Sequence, residues 1–192
     1  CGPDPIEIRL RNEPEKDPES GNPWSGRKLA ECLETGAKKF GWAQRRTASA
    51  DANGGEWLPG MGVAASTYPY LSMPGSCAVI EYGGDQCYEV SIGATDIGTG
   101  AWTALTQIAA DALNCPLEAV RLRIGDSDLP TGTVAGGSSG LSSWGPTIVA
   151  AARAFRSEHG DTPHEGNRSS AEKPETEETD EFAIHSFGAQ FA

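Results

Sequence analysis

The sequence lacks an excess of positive charge, a long apolar run and a recognisable secretion signal. Its 192 residues carry 15 Lys and Arg against 27 Asp and Glu, a formal net charge of -12 at pH 7. Without a basic excess to neutralise phosphates, the chain is a poor candidate for binding nucleic acid or an anionic membrane surface. No run reaches the roughly 18 apolar residues that cross a bilayer, and no basic stretch followed by an apolar core opens the chain. These absences favour a cytoplasmic protein, and a periplasmic location stays open if a partner subunit carries an export signal.

The sequence also lacks the side-chain spacing of a metal site. Its five cysteines form no CxxC pair, and the three histidines do not cluster. A disulfide between Cys77 and Cys87 across a hairpin is one interpretation, and free thiols in a reducing compartment are the favoured one. We therefore predict that no metal is bound directly by side chains of this chain.

Residue patterns predict an α+β fold with a mixed sheet and helices packed on it. Asp4 and Pro5 are expected to open a short helix, and Ser25 to cap a second helix that stops at Gly41. The strand-like runs are GMGVAASTY, SCAVIEYG, CYEVSIGAT, AVRLRIGD and EFAIHSFGAQFA. The Ala-rich runs AWTALTQIAADAL and PTIVAAARAFR are typical of helices. Because the sequence starts with Cys1 and not with Met, we expect it to begin inside a longer reading frame.

Composition divides the chain into four expected segments. Residues 1–59 form a helical and loop segment, 60–156 an α+β domain, 157–180 an acidic disordered linker, and 181–192 a return strand of the same domain. The linker prediction depends on residues 157–180, which hold eight acidic and two basic residues and no Val, Leu, Ile, Met or aromatic residue. Such a segment buries too little apolar surface to offset its chain entropy. An acidic tail that binds another protein is the alternative.

The chemical signal lies in two glycine-rich turns that each lead into a helix. The first is Gly98-Thr99-Gly100 before a helix from Ala101, and the second is GGSSG at 136–140 before a helix from Gly145. Unpaired N–H groups and the positive dipole end at a helix N-terminus suit an anion, and Ser or Thr hydroxyls add donors. Neither turn has the Walker or the dinucleotide spacing. Plain turn-and-cap geometry therefore remains the alternative, as it does for Asp126 and Asp128, where an Asx-turn is favoured over a cation site.

Four ordered motifs carry a family resemblance. They are the opening DPIEIRLRN with the helix GAKKFGW, the run DIGTGAWTALTQIAADAL, the pair GDSDLP and AGGS, and the ending FAIHSFGAQFA. Together they resemble the molybdenum-cofactor-binding subunit of the xanthine dehydrogenase and aldehyde oxidase family, in its bacterial aldehyde-oxidising branch. The resemblance implies an α+β fold that is part of a larger molybdenum-cofactor-binding domain. Thr99 stands where many relatives carry Gln, and the chain before FGAQFA is shorter than in relatives.

The resemblance implies that the two turns hold molybdopterin by its pterin and its phosphate or appended cytosine nucleotide. The implied cofactor-binding residues are Gly98, Thr99, Gly100, Thr103, Gly136, Gly137, Ser138, Ser139 and Ser142. In this family a dithiolene of the pterin holds molybdenum, so no side chain need coordinate it. None of the family's catalytic motifs, including the GxGE-like context of its glutamate base, is in the sequence.

The implied reaction is hydroxylation of a small aldehyde or aromatic N-heterocycle with water-derived oxygen. Electrons would leave through an iron–sulfur subunit and an FAD subunit, which together with the rest of the molybdenum subunit are the implied partners. Two other hypotheses stay open. One is a non-enzymatic anion-binding or assembly module of the same fold, and the other is a structural domain whose glycine turns are only caps.

Overall fold

A computed structural model describes residues 2–45, 60–174 and 181–192. These residues form two compact units, one from the ranges Cys1–Pro69 and Glu178–Ala192 and the other from Tyr70–Glu177. The helices of the described residues are α1 (Pro5–Arg11), α2 (Leu29–Phe40), α3 (Ala101–Leu113) and α4 (Gly140–His159). Their strands are β1 (Val63–Pro69), β2 (Cys77–Tyr82), β3 (Tyr88–Ile92), β4 (Val120–Arg123), β5 (Arg168–Glu172) and β6 (His185–Phe191). None of these helices is long and apolar enough to cross a membrane.

The first unit packs α1 and α2 with an antiparallel pair of strands, β1 and β6. Asp4 caps α1 as predicted, because its carboxylate accepts the N–H of Ile6 at 2.7 Å. The start predicted for α2 is wrong: the helix begins at Leu29 and not after Ser25. The Ser25 N–H donates instead to the carbonyl of Ala183 at 3.1 Å, which holds this stretch outside the helix. Gly41 ends α2 in the left-handed conformation, as predicted.

The second unit is a four-stranded mixed sheet in the order β4-β3-β2-β5. β2 pairs antiparallel with β3 and β5, and β3 pairs parallel with β4 through the crossover helix α3. Both α3 and α4 pack on the sheet over one apolar core, whose fully buried members include Ile80, Val90, Ile92, Leu105 and Ile148. The predicted α+β class with a mixed sheet is confirmed.

The acidic segment 157–180 contains ordered structure that its composition did not predict. α4 continues to His159, and Arg168–Glu172 forms β5 on the edge of the sheet. An edge strand needs little apolar bulk: its backbone bonds β2, and the small side chain of Ser169 is buried. The expectation of one disordered linker is therefore wrong for these residues, and positions 175–180 lie outside the described residues.

The C-terminal strand also differs from its expected place. β6 pairs with β1 over the full register from Val63 with Phe191 to Pro69 with His185. It therefore belongs to the first unit and not to the sheet that carries the glycine turns. The aromatic side chain of Phe191 packs at 5.6 Å from the ring of Phe40 and at 5.8 Å from that of Trp42, which ties the strand to the helical face of this unit.

α4 begins five residues before the predicted start. Pro146 lies inside the helix and lacks the N–H that would bond the carbonyl of Ser142. Ser72 donates its hydroxyl to that carbonyl at 2.9 Å, and Tyr70 donates its hydroxyl at 3.4 Å. The helix continues through Pro146 because the carbonyl that the proline leaves unbonded has other donors.

The disulfide interpretation for the β2–β3 hairpin is ruled out by register. Tyr82 pairs with Tyr88 near the turn, and Ala78 pairs with Ile92 at the other end. Cys87 therefore lies at the turn and Cys77 at the open end, so the two sulfur atoms cannot meet. Both thiols are free.

Candidate functional site

The first glycine turn connects β3 to α3 and is closed by Asp96. Gly98 and Gly100 have φ values of 95° and 77°, a left-handed conformation that glycine adopts without strain. Asp96 Oδ1 accepts the N–H groups of Gly98 at 2.8 Å, Thr99 at 2.9 Å and Gly100 at 3.3 Å. The turn and the start of α3 are therefore capped by a side chain of the chain itself.

Asp96 also accepts the N–H of Trp102 through its other carboxylate oxygen, at 3.2 Å. This hydrogen bond, together with those from Gly98, Gly100 and Thr99, lowers the pKa of Asp96 below its usual value. The carboxylate is therefore ionised at neutral pH. Asp96 was not among the residues picked from the sequence, although an Asp two residues before a glycine turn that opens a helix is a capping signal.

The second glycine turn leads into α4 and is closed by its own backbone and by Ser139. Gly137 and Ser138 are both left-handed, with φ values of 59° and 56°. Ser139 donates its N–H at 3.1 Å and its hydroxyl at 2.7 Å to the carbonyl of Gly136. The side chain of the N-cap residue, Ser139, makes no capping hydrogen bond to α4. Within the described residues, the N–H groups of Gly140, Leu141 and Ser142 have no acceptor.

The hydroxyl groups of the second turn serve different roles. Ser142 donates to the carbonyls of Leu71 and Ser139, so its hydroxyl holds the start of α4 in place. The Ser139 side chain is fully buried. Ser138 is exposed, and its hydroxyl makes no hydrogen bond to any described residue. Among these serines, Ser138 is the one whose hydroxyl is available to a ligand.

A pocket of about 400 Å³ brings the two turns together. It is lined by Ile97, Thr99, Ala135, Gly136, Gly137, Ser138, Gly140, Leu141 and Trp144. Four of the candidate residues from the sequence therefore face one cavity, namely Thr99, Gly136, Gly137 and Ser138. Gly98, Gly100, Thr103, Ser139 and Ser142 do not line it. No lining residue carries a charge, so the pocket is apolar apart from backbone groups and two hydroxyls.

Trp144 forms the inner wall of the pocket and also belongs to the core. Its side chain is 2% exposed, and its indole N–H donates to the carbonyl of Thr133 at 3.2 Å. Gly140 packs directly on the ring, because a Cβ at that position would lie 2.7 Å from it. The sequence did not single out Gly140 as a packing residue, since the close approach depends on the fold.

The described residues contain no group of three or more His, Cys, Asp or Glu side chains that could hold a metal ion. Asp126 accepts the N–H of Asp128 at 3.0 Å, which confirms the predicted Asx-turn. A metal ion bound at the candidate site would therefore need ligands other than such a cluster of described side chains.

Comparison with known proteins gives consistent matches. Residues 35–180 match the family described as the molybdopterin cofactor-binding domain. The chain is 40% identical over 158 residues to the Escherichia coli aldehyde oxidoreductase molybdenum-binding subunit PaoC, covering 81% of this chain and 21% of the relative. It is 36% identical over 133 residues to an Escherichia coli xanthine dehydrogenase molybdenum-binding subunit, covering 63% of this chain and 17% of the relative. The chain thus spans about a fifth of the length of these relatives.

A solved structure shows the same fold. The aldehyde oxidoreductase of Desulfovibrio desulfuricans superposes with a TM-score of 0.72 at 22% identity, over 99% of this chain and 24% of that protein. Fold, motif order and sequence identity agree with the resemblance inferred from the motifs. The chain therefore belongs to the molybdopterin cofactor-binding domain family.

Proposed function

We propose that the chain supplies two turns of a molybdopterin-binding site in the molybdenum subunit of an aldehyde or xanthine oxidoreductase. One observation carries the proposal: a single pocket joins both glycine turns and opens beside the uncapped start of α4. The names of both curated relatives, which are molybdenum-binding subunits of such enzymes, support the reaction class.

The pocket chemistry fits a flat ring system that carries an anionic group. The exposed side chains of Ile97 and Leu141 offer apolar surface to a ring, and a cavity of about 400 Å³ is in the range of small-molecule sites. The unbonded N–H groups of Gly140 and Leu141 lie at the positive dipole end of α4, where an anionic group is stabilised. The hydroxyl of Ser138 is a further donor. These groups would hold the cofactor without forming a bond to its metal.

The residues of this chain bind and orient in the proposed mechanism, and none of them is assigned a catalytic role. When bound, the molybdenum cofactor supplies the redox chemistry by which aldehydes or aromatic N-heterocycles are hydroxylated with water-derived oxygen. We assign the general base to the remainder of the molybdenum subunit, and the onward electron path to iron–sulfur and FAD subunits. The word subunit in the names of both relatives supports this division of labour.

A charge-reversal pair at Leu141 tests the proposal. Leu141 is 37% exposed in the first turn of α4 and lines the pocket. A carboxylate in that turn stabilises the helix through its dipole, and an ammonium group destabilises it slightly. Leu141→Glu places a negative charge beside the proposed anion position, and Leu141→Lys a positive one. We expect the Glu variant to hold less cofactor although its helix is the more stable of the two.

The measurement is molybdenum and acid-released pterin per chain, in the subunit with its natural flanking chain and partners, from a molybdenum-competent host. Thermal unfolding of both variants serves as the control for folding. Molybdenum near one per wild-type chain, with lower content in Leu141→Glu than in Leu141→Lys, supports the proposal. Equal contents in the two variants would refute the pocket assignment. A complete wild-type subunit without molybdenum would refute the enzyme function and favour the anion-binding or assembly module.

A further inference from the structure

The two glycine turns differ in what bonds their backbone N–H donors. At the first turn, four backbone N–H groups from Gly98 to Trp102 bond one carboxylate, that of Asp96. At the second turn, no described side chain bonds the N–H groups of Gly140, Leu141 or Ser142. The two helix starts therefore differ as places for an anionic group. One helix start carries its own anion, and the other faces the pocket.

The Asp96 carboxylate bonds backbone N–H groups and forms no ion pair with a described residue. Within the described part of the chain, no Lys, Arg or His forms an ion pair with it. The carboxylate therefore presents a full negative charge at the start of α3. An anionic ligand group that approached this helix start would meet like charge, and four of the N–H donors there are already bonded. The same group meets neither obstacle at the start of α4.

We propose that Asp96 is a positioning residue of the cofactor site, which holds Thr99 at the pocket wall and directs the anionic end of the cofactor away from α3. Because Thr99 donates its N–H to Asp96 at 2.9 Å, its backbone is fixed where its side chain lines the pocket. The inference rests on the proposed function. In this proposal the first turn forms one wall of the pocket, and the second turn binds the anionic group of the cofactor.

Two substitutions separate the roles of charge and hydrogen bonding. Asp96→Ala removes the acceptor and frees the four N–H groups. Asp96→Asn keeps the size and one acceptor oxygen and removes the charge. Asp111→Ala is the matched control, because Asp111 is an exposed carboxylate near the other end of α3 and lines no part of the pocket.

The first readout is the rate at which the assembled, loaded subunit loses molybdenum and pterin. We expect Asp96→Ala to lose them roughly tenfold faster than wild type, comparable to the lower end of the effect of removing a residue that supports a metal ligand. Asp96→Asn should lie between the two, and Asp111→Ala should match wild type. Equal rates for Asp96→Ala and Asp111→Ala would overturn the inference. If Asp96→Ala does not fold, the comparison of Asp96→Asn with Asp111→Ala decides the same question.

The second readout distinguishes a positioning role from plain support of the fold. In the subunit prepared from a host that makes no molybdenum cofactor, inorganic phosphate is titrated while the unfolding temperature is measured. Freed N–H groups at α3 should give Asp96→Ala a larger phosphate-induced rise than wild type or Asp111→Ala. An identical rise in all three would overturn the claim that Asp96 excludes anions. An empty wild-type subunit in the first experiment would instead refute the proposed function, and this titration would still test Asp96.

Discussion

The segment that leads into the second glycine turn includes a backbone contact in which Gly93 and Gly132 face each other. A Cβ on Gly132 would lie 2.2 Å from the carbonyl oxygen of Gly93 and 2.4 Å from its carbonyl carbon. A Cβ on Gly93 would in turn lie 2.4 Å from the carbonyl oxygen of Pro130. These are backbone atoms, which cannot rotate aside as a side chain would. We therefore predict that Gly132→Ala displaces the segment that leads into the pocket.

The expected cost follows from what must move. The neighbouring residues of Gly132 are hydrogen-bonded on both sides: Thr131 accepts the N–H of Cys77 at 2.8 Å, and Thr133 accepts the indole N–H of Trp144 at 3.2 Å. Overpacking lowers the free energy of unfolding by about 1–3 kcal/mol. Because hydrogen bonds hold the residues on both sides of Gly132, we expect Gly132→Ala to cost about 3 kcal/mol, the upper end of that range. For a chain of this size, that is a fall in unfolding temperature of about 6–12 °C.

Gly136→Ala is the matched control, four residues further along the same segment. Its Cβ would lie 3.7 Å from the nearest atom, on Val134, which is an ordinary contact. We expect a change within about 0.5 kcal/mol there. Urea unfolding of both variants gives the comparison. If Gly132→Ala unfolds like Gly136→Ala, the facing-glycine contact is not as close as described and the reasoning fails.

Local sequence signals predict the elements whose ends are set within the chain's own neighbourhood. The run AWTALTQIAADAL matches α3 from Ala101 to Leu113, since a glycine turn precedes it and Asn114 ends it in the left-handed conformation. Local signals also set the start of α1, which Asp4 caps, and the end of α2 at Gly41. In each case the residue that sets the boundary is adjacent to it.

The features that the sequence did not predict depend on distant partners. Arg168–Glu172 is a strand because β2 supplies its hydrogen bonds, and its composition alone indicates a solvated loop. The early start of α4 depends on Ser72, which lies 70 residues from the carbonyl that it bonds. The return strand joins β1 and not the larger sheet because Phe191 packs against α2 and Trp42.

The candidate site likewise has features that the sequence predicts and features that depend on distant residues. Glycine spacing before two helices correctly predicts the turns, and one pocket brings Thr99 and Ser138 together. Which N–H groups stay free could not be inferred from glycines, because that depends on whether a carboxylate folds back over the turn. Asp96 does so at α3, and no carboxylate among residues 2–45, 60–174 and 181–192 does so at α4. The difference between the two turns is thus a property of one side chain outside the glycine motif.

Two further predictions concern stability. Ser72→Ala should cost about 1 kcal/mol, and less in a Pro146→Ala background, because the restored N–H bonds the Ser142 carbonyl that Ser72 otherwise serves. Urea unfolding in a double-mutant cycle measures this coupling, and additive costs would contradict it. Acid should weaken the chain through Asp96, whose folded-state pKa is lowered by its backbone hydrogen bonds. That stabilisation is complete above the unfolded pKa of about 3.9 and is lost as the pH falls through the folded value. Wild type should therefore be more stable than Asp96→Asn at pH 7, and the difference should shrink as the pH falls through the lowered folded-state pKa, below which the protonated carboxyl no longer differs from the amide in charge. Since every other titrating group is common to both proteins, a stability difference that stays constant across this range would show that the Asp96 charge does not hold the turn.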